Sequence, residues 1–594
     1  MAVSPDGAFA AIAIENQRDE DVNDGELPQL PAGQLKVVAL AGPPAQWNAQ
    51  SVNLTGLAEY APEDPEPEYV SINEQNVAVV TLQENNHIVL VDLPTLSVMR
   101  HFPAGQVSLD FVDTEEDGLI EPDGQIVDVP REPDAVAWLD DGRFATANEG
   151  DLFGGTRGFT VYTAQGNVEF DSSRRLETLA QGHGHYPESR SENKGTEPEG
   201  VARGRYLGRD LFFVGSERGN FVAVYEERGE AKPKLVQLLP TGVGPEGLLP
   251  IPARGLFVTA AETDDAVRSQ ITIFRVREGL ASYPQIVSGP RTSGPLAGKA
   301  PIGWVALSAL SGDRNDPATL YTAHDNYLAQ SRLYVVDVAR TPALIRDEIP
   351  LRLQGAPVGY DVEGLAQRAG GGFWVASEGG GTAPNPTSLN LLVSVAAGGD
   401  VLSEIPLPDD VNALQLSNGF EGVASAGEGR AERVYVAFQR EWTGDPAGQV
   451  RIGEYRPDTG QWRFFYYPLD PVESPAGGWV GLSEITWAGD DRLLLLERDN
   501  VGGPDAGVKR LYAVSIRGVE PQPQGGVFPL LTKELVSDLL PALRATRGWT
   551  QEKVEGVGLA ADGRIYVVTD NDGVDDSTGE TLFLRLGALG ALIP

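Results

Sequence analysis

Apolar residues fall into short runs of alternating pattern along the whole chain, each broken by Gly, Asp or Asn. Such runs read as antiparallel strands. They recur in pairs. A first run opens on an acid followed by hydrophobic residues, at Glu68 ("EPEYVSI"), Asp134 ("EPDAVAWL"), Glu199 ("EPEGVA"), Glu246 ("PEGLLP"), Glu363 ("VEGLAQ"), Glu421 ("FEGVAS"), Glu484 ("LSEITWA") and Glu555 ("VEGVGLA"). A second run follows with a polar ending, as in "VAVVTLQENN", "LFFVGSERGN", "FWVASEGGG", "LLLLERDN" and "IYVVTDND". Third runs such as "HIVLVDL", "RLYVVDV" and "RLYAVSI" complete several units. The acid recurs at a spacing of roughly 47 to 71 residues. Degenerate copies stand near Trp304 and at the chain start. Units of three or four strands at this period predict an all-β fold, a large β-propeller of about ten repeats. Nothing in composition separates two halves, which favours one assembly over residues 1–594 and one ring; two smaller propellers are the alternative. Segments 105–133 and 171–198 read as loop insertions. "LTKELVSDLLPALRATRG" reads as a short helical insertion near 532–546, with Thr532 as N-cap.

Composition supports this reading. Of 594 residues, 41% are hydrophobic, enough for a sizeable core, and the 70 Gly and 43 Pro suit many tight turns. The absence of Cys excludes disulfides, thiolate metal sites and Cys nucleophiles. No apolar run is long enough to insert in a membrane. The opening "MAVSPDGAFAAIAIEN" reads as a strand rather than a signal peptide, as in a mature or trimmed chain whose first repeat began upstream. The net charge of -39 disfavours nucleic acid as a partner and attracts cations.

In a propeller the innermost strands line the central channel, so an acid at one point of every repeat joins a ring around it. Carboxylates crowded together cannot all stay ionised without a cation, and Ca²⁺, which takes six to eight oxygens in flexible geometry, is the expected cofactor. The expected ligands are Glu199, Glu246, Glu363, Glu421, Glu484 and Glu555, joined by Asp570 and Asp572 of the acid-rich "DNDGVDD". A separate turn, "DTEEDGLI", places Asp113, Glu115 and Asp117 at the first, third and fifth positions of a calcium-loop pattern with Gly118 at the sixth. For chemistry, His324 in "TAHDN" takes the place of an acid and is a candidate base. "HGH" at 183–185 lies in a segment expected to be polar and mobile. Arg218, Arg440 and Arg498 share one repeat point ("SERGN", "FQREW", "LERDN"), and Lys509 and Lys553 lie near it. These cations could contact phosphate.

These words resemble known families. From about residue 362 to 587 the chain is similar to the phytase-like family, also called esterase-like activity of phytase, through "DVEGLA", "FWVASEGGG", "SNGFEGVA", "VYVAFQREW", "LLLLERDN" and "KVEGVGLAADGRIYVVTDNDG". From 1 to about 260 it resembles choice-of-anchor I propellers and mesenchyme-specific cell-surface glycoproteins, through "VSPDG", "EPDAVA", "TANEGD", "GTEPEGVA" and "FVGSERGN". Residues 1–260 are thus anchor-like repeats and 261–594 phytase-like repeats. The resemblance implies a secreted, periplasmic or cell-surface propeller with a calcium-linked phosphoesterase or esterase activity. The acid-rich "DDPA" words of β-propeller phytases are missing, which counts against phytate specificity.

The sequence therefore predicts a calcium-dependent hydrolase acting on a small phosphate ester at a channel mouth. Glu484 and Glu555 would be essential to turnover, and Arg440, Arg498 and Lys553 would stabilise developing charge. One alternative is a non-catalytic calcium-binding protein of a cell surface or mineral matrix. Another is a lactonase or carboxylesterase with His324 as base.

Overall fold

The computed structural model describes residues 1–594 except 20, 230, 264–268, 575 and 593–594. Ten main sheets follow one another along the chain, and in nine the strands are antiparallel and hydrogen-bonded in sequence order; in the sixth, Ile286–Ser288 adds in parallel to the outer strand Ala343–Pro350. We number them blades 1 to 10. Middle strands are buried on both faces because blades stack face to face: Val77–Leu82 is buried throughout. Outer strands such as Ser97–Pro103 are largely exposed. This explains why the second run of each unit is continuously apolar and the fourth is hard to recognise.

The innermost strands of blades 6 to 10 are Leu307–Gly312, Val362–Gln367, Phe420–Ala426, Val480–Gly489 and Val554–Leu559. Each packs on the next, and the last packs back on the first. Five blades therefore close a ring in the C-terminal half, in place of the single ten-unit ring favoured from composition. Blades 1 to 5 pack in the same serial manner. The halves share a core in which Phe159 and Phe212 of blades 3 and 4 join Ile120, Tyr283, Val305, Leu328 and Val574.

Both long insertions serve this junction. Segment 105–133 carries a two-stranded ribbon, Gln106–Val112 with Gly124–Pro130. Its Glu121 accepts from Arg332 of blade 6 at 2.5 Å. Segment 171–198 carries the helix Arg175–His183, and Asn571 of blade 10 donates to the Gly184 carbonyl beyond it at 2.9 Å.

The helix expected near 532–546 is mostly strand. Lys533–Asp538 is the fourth strand of blade 9, and only Leu540–Leu543 and Arg544–Thr546 are helical. The edge of the preceding strand, Lys509–Ser515, takes up these backbone groups, and ladder pairing overrides the local helical propensity.

Every inner strand of the closed ring carries a bulge, at Ser308, Glu363, Glu421, Ser483 and Glu555, one residue after the first ladder pair in four blades and after the third in blade 9. A bulged residue leaves the ladder, so its side chain can be re-aimed. In four of the five blades the residue that follows is small, Ala309, Gly364, Gly422 or Gly556. A Cβ on Gly364 would lie 2.5 Å from Gly422 Cα, and one on Gly556 would lie 2.9 Å from Leu310 Cβ. The Glu-Gly repeat is thus an acid turned out of the ladder followed by a close approach of two backbones. Gly364→Ala is expected to destabilise the ring by about 3 kcal/mol or more, because the clash is with backbone that cannot rotate away. Chemical denaturation would read this, and a midpoint equal to that of the unchanged protein would contradict it.

Candidate active site

Two sets of side chains converge at one end of the closed ring. The first is the bulge set just described. The second is the residue that follows each partner position on the second strand: Asp325, Glu378, Gln439, Arg498 and Asp570. The sequence pattern anticipates both sets, at the start of the first run and the end of the second, but misplaces three members by one residue; in "TAHDN" the acid's place falls to Asp325, not His324. In "GLSEITW" the bulge falls on Ser483, so Glu484 stands where the other repeats have Gly or Ala. In "FQREW" it is Gln439, not Arg440, that corresponds to Arg498.

Glu363, Glu421 and Glu555, from three blades, bring carboxylate oxygens within 4.8 Å of one another. Glu421 accepts from Gln439 Nε2 at 2.6 Å. One Glu555 oxygen accepts from Arg498 at 2.7 Å, while its Oε2 is buried without a hydrogen-bond partner. Among the described residues no Lys or Arg pairs with Glu363 or Glu421. Burial first, then repulsion within the cluster, pushes both carboxyls well above the usual range. Glu378 lies beside Glu421; burial pushes it to about 7, although the Gly419 amide donates to it at 2.6 Å. Asp325 is pushed by burial to about 6. Asp361 is raised by burial and hydrogen-bonds Glu363. Asp325, Asp361, Glu378 and Glu552 were not singled out from sequence, though "TAHDN", "DVEG" and "VASEGGG" sit at the right repeat points.

Cations frame this cluster. Arg498 is buried and donates to Glu552 at 2.5 Å, to Glu555 and to Ser483. Its guanidinium lies 5.4 Å from the Trp479 ring centre. Arg440 lies 5.0 Å from the same ring centre. Its one ion pair among the described residues is a 4.0 Å contact with adjacent Glu441, and its Nε has no hydrogen-bond partner. Lys553 is held between Asp570, at 3.4 Å, and Asp572, and these acids raise its pKa against the opposing effect of burial. Asp570 and Asp572 therefore neutralise Lys553 and stand outside the three-carboxylate group.

Three expected site residues have other roles. Glu484 is 1% exposed. Its oxygens accept from its neighbour Ile485 N at 2.9 Å and from Leu310 N of blade 6 at 3.5 Å. It ties inner strands together and does not join the metal group. His324 is fully buried. Arg332 N donates to its Nε2 at 3.1 Å and its Nδ1 meets the Asp325 carbonyl at 2.8 Å. Burial lowers its pKa to about 4, so both ring nitrogens serve the backbone and none is free to act as base. Lys509 is buried on Asp499 at 2.8 Å. The "HGH" segment is ordered and packed: His185 is fully buried between the Gly219 carbonyl and Tyr283 OH.

The "DTEEDGLI" turn does not gather its acids. Asp113 points inward and accepts from Glu121 N at 2.7 Å, whereas Glu115 and Asp117 are exposed. Burial pushes Asp113 to about 7. Missing the last ligand of the loop pattern, this segment folds as a hydrogen-bonded turn.

Glu199 and Glu246 belong to the N-terminal half, away from the C-terminal cluster. There Asp134, Glu149 and Glu199 bring oxygens within 4.8 Å of one another. Asp134 is 8% exposed and Glu199 Oε2 is buried without a partner. Glu199 is pushed to about 9 by burial. Glu246 is raised by burial and by Glu262, with which it shares a hydrogen bond. Lys194 reaches Glu149 at 2.9 Å, and Arg218 reaches Glu217 at 3.1 Å.

Comparison with known families agrees with this division. Residues 302–573 match the phytase-like family model, described as esterase-like activity of phytase. Residues 1–154 and 152–229 match the choice-of-anchor I domain. These are the two families that the sequence words resemble. No curated protein matches the chain. Similar solved structures include a functionally unknown protein from Desulfotomaculum acetoxidans, 11% identical over 59% of this chain and 87% of that one, with a TM-score of 0.26. The β-propeller domain of Cps50 (Swd1) from Myceliophteria thermophila is 9% identical over 78% and 94%, with a TM-score of 0.25. Virginiamycin B lyase from Staphylococcus aureus is 11% identical over 72% and 90%, with a TM-score of 0.18. No helix among the described residues is long and apolar enough to cross a membrane.

Proposed function

We propose that this protein is a calcium-dependent hydrolase of phosphate esters, working at the channel mouth of the C-terminal ring. The observation that carries this reading is the group of three converging carboxylates, one with a buried unpartnered oxygen, framed by Arg440, Arg498 and Lys553. An all-oxygen donor set from flexible Glu side chains suits a hard divalent cation, and Glu363, Glu421 and Glu555 would hold it. Bound there, calcium would neutralise phosphate oxygens and acidify water.

The chain's own residues supply the rest. Arg440 and Arg498, fixed against Trp479, present N–H donors to the phosphate oxygens and hold the ester in one orientation. Glu378, held near neutrality by burial, accepts the proton from the attacking water. Water adds to phosphorus, the P–O bond to the alcohol breaks, and the alcohol leaves with a proton from the surrounding acids, among which Asp325 titrates near 6. The phytase-like match supports a hydrolase; the paired guanidiniums support phosphate over a carboxylic ester. The anchor-like match of residues 1–229 supports a secreted, periplasmic or cell-surface location.

A second reading, a calcium-loaded surface or matrix protein without turnover, draws support from the N-terminal acid group. One assay separates the two: p-nitrophenyl phosphate, bis-p-nitrophenyl phosphate, phytate and p-nitrophenyl acetate, each with calcium and with chelator. Calcium-dependent release from a phosphate ester is expected. Release from the acetate alone would replace phosphate with a carboxylic ester, and no release from any substrate would leave the second reading.

A further inference from the structure

A cleft of about 1010 Å³ opens between the two halves, away from both acid groups. Its walls are the helix Arg175–His183, the outer strand Ala231–Pro240 of blade 4, and residues 288–301 that lead into blade 6. Six charged side chains line it: Arg174, Arg175, Arg228, Lys232, Lys234 and Lys299. All six are cationic, and among the described residues no Asp or Glu lines the cleft. Along the chain acids outnumber Lys and Arg by 85 to 46, so a cleft whose described charged lining is all cationic runs against the trend of the chain.

The way these cations are held also matters. Elsewhere in this protein Arg and Lys are matched to carboxylates, as at Arg498, Lys509 and Lys553. Here Arg174 and Lys299, from the two opposite halves, lie 5.2 and 4.6 Å from the ring centre of one residue, Phe111. Arg175 lies 5.2 Å from the Phe170 ring centre and donates to the Asp171 and Ser172 carbonyls. Aromatic faces and carbonyls position a guanidinium or ammonium without cancelling its charge. Among the described residues, Arg174, Arg175, Lys232, Lys234 and Lys299 form no ion pair. Arg228 makes one, at 3.7 Å to Glu226. Leu179, Tyr225 and Pro233 supply apolar surface between the charges.

We propose that this cleft binds a small organic anion bearing several phosphate or sulfate groups, and that the bound anion ties the two halves together. Planar guanidiniums pair with such groups through parallel N–H donors. The gathered positive charge attracts such an anion against the acidic bulk of the molecule. The site is distinct from the channel and independent of the hydrolase reading.

The test is calorimetric titration of the full chain, in metal-free buffer at low salt, with inorganic tripolyphosphate and separately with sucrose octasulfate. Saturable binding of one ligand per chain is expected for at least one anion, with a raised unfolding temperature. The variant Arg174→Glu/Lys299→Glu should bind at least about ten-fold more weakly, and Arg205→Glu, an exposed cation on blade 4 outside the cleft, should bind as the parent does. Binding of tripolyphosphate alone would assign the cleft to phosphates, and binding of both to multiply charged anions in general. No saturable binding of either, or equal binding by parent and double variant, would overturn the proposal. Calcium-dependent hydrolysis by the double variant should equal the parent's, so loss of the cleft and loss of the channel activity are read separately.

Discussion

Glu555→Gln is expected to lower calcium-dependent turnover on the order of 100-fold or more, with the fold retained. The carboxylate has two duties, and only one survives the change. Its Oε1 accepts from Arg498 at 2.7 Å, and an amide oxygen can do the same. Its Oε2 is buried without a protein partner beside Glu363 and Glu421, and replacing it by an NH₂ removes a cation ligand and points a donor at the cation. Loss of one carboxylate from a three-carboxylate group weakens a hard-cation site strongly, because charge and oxygen count both fall. Glu484→Gln should behave differently, contrary to what the repeat pattern suggests. Glu484 contacts backbone amides rather than the cluster. The variant should turn over within about two-fold of the parent and lose about 1 to 2 kcal/mol of stability as one acceptor becomes a donor. Steady-state kinetics with calcium titration would check both. Full activity in Glu555→Gln would remove this residue from the site, and an inactive but folded Glu484→Gln would return Glu484 to it.

The contrast between Glu484 and Glu555 shows what the sequence could and could not convey. The repeated acid, the polar ending of the second run and the turn residues make the blades legible, because each is a local consequence of strand pairing. Register is not local. Whether Ser483 or Glu484 leaves the ladder depends on which residue of the neighbouring strand it faces, and a shift of one residue exchanges a channel ligand for a strand tie. Ring size is likewise set by how inner strands pack, where Gly364, Gly422 and Gly556 permit close approach. No single repeat encodes that closure. His324 illustrates a third limit. It lies one residue before the channel position, which Asp325 takes, and Arg332 and the Asp325 carbonyl claim its nitrogens; such claims come from a hairpin that the pattern does not specify. The basic cleft was invisible for a related reason: its cations are spread over 126 residues from Arg174 to Lys299, and only the docking of the two halves gathers them.

In chelator, the unfolding temperature is expected to fall on the order of 10 °C as pH rises from about 5 to 9, and saturating calcium should remove most of this dependence. Burial pushes Glu66 and Glu68 to about 8, Glu199 to about 9, and Glu217 and Glu378 to about 7. In the unfolded chain the same groups ionise near 4.5. Between those values the folded protein holds more protons than the unfolded chain. Stability must therefore decrease with rising pH over this window, being greatest near the unfolded value and lost once the folded groups ionise. A tenfold difference in proton affinity between the folded and unfolded chain corresponds to about 1.4 kcal/mol. Mutual coupling makes the total smaller than the sum of separate groups, on the order of several kcal/mol. A cation bound in the acid groups that contain Glu199 and Glu217, or in the group beside Glu378, replaces protons that high pH removes, so its affinity rises with pH and its stabilisation is greatest where the metal-free protein is weakest. Differential scanning calorimetry at pH 5, 6, 7, 8 and 9, in chelator and in calcium, reads both effects. An unfolding temperature in chelator that stays level or rises across this range would mean that Lys194, Arg218, Arg498 and Lys553 already neutralise the acids, and that neither group needs a cation to fold.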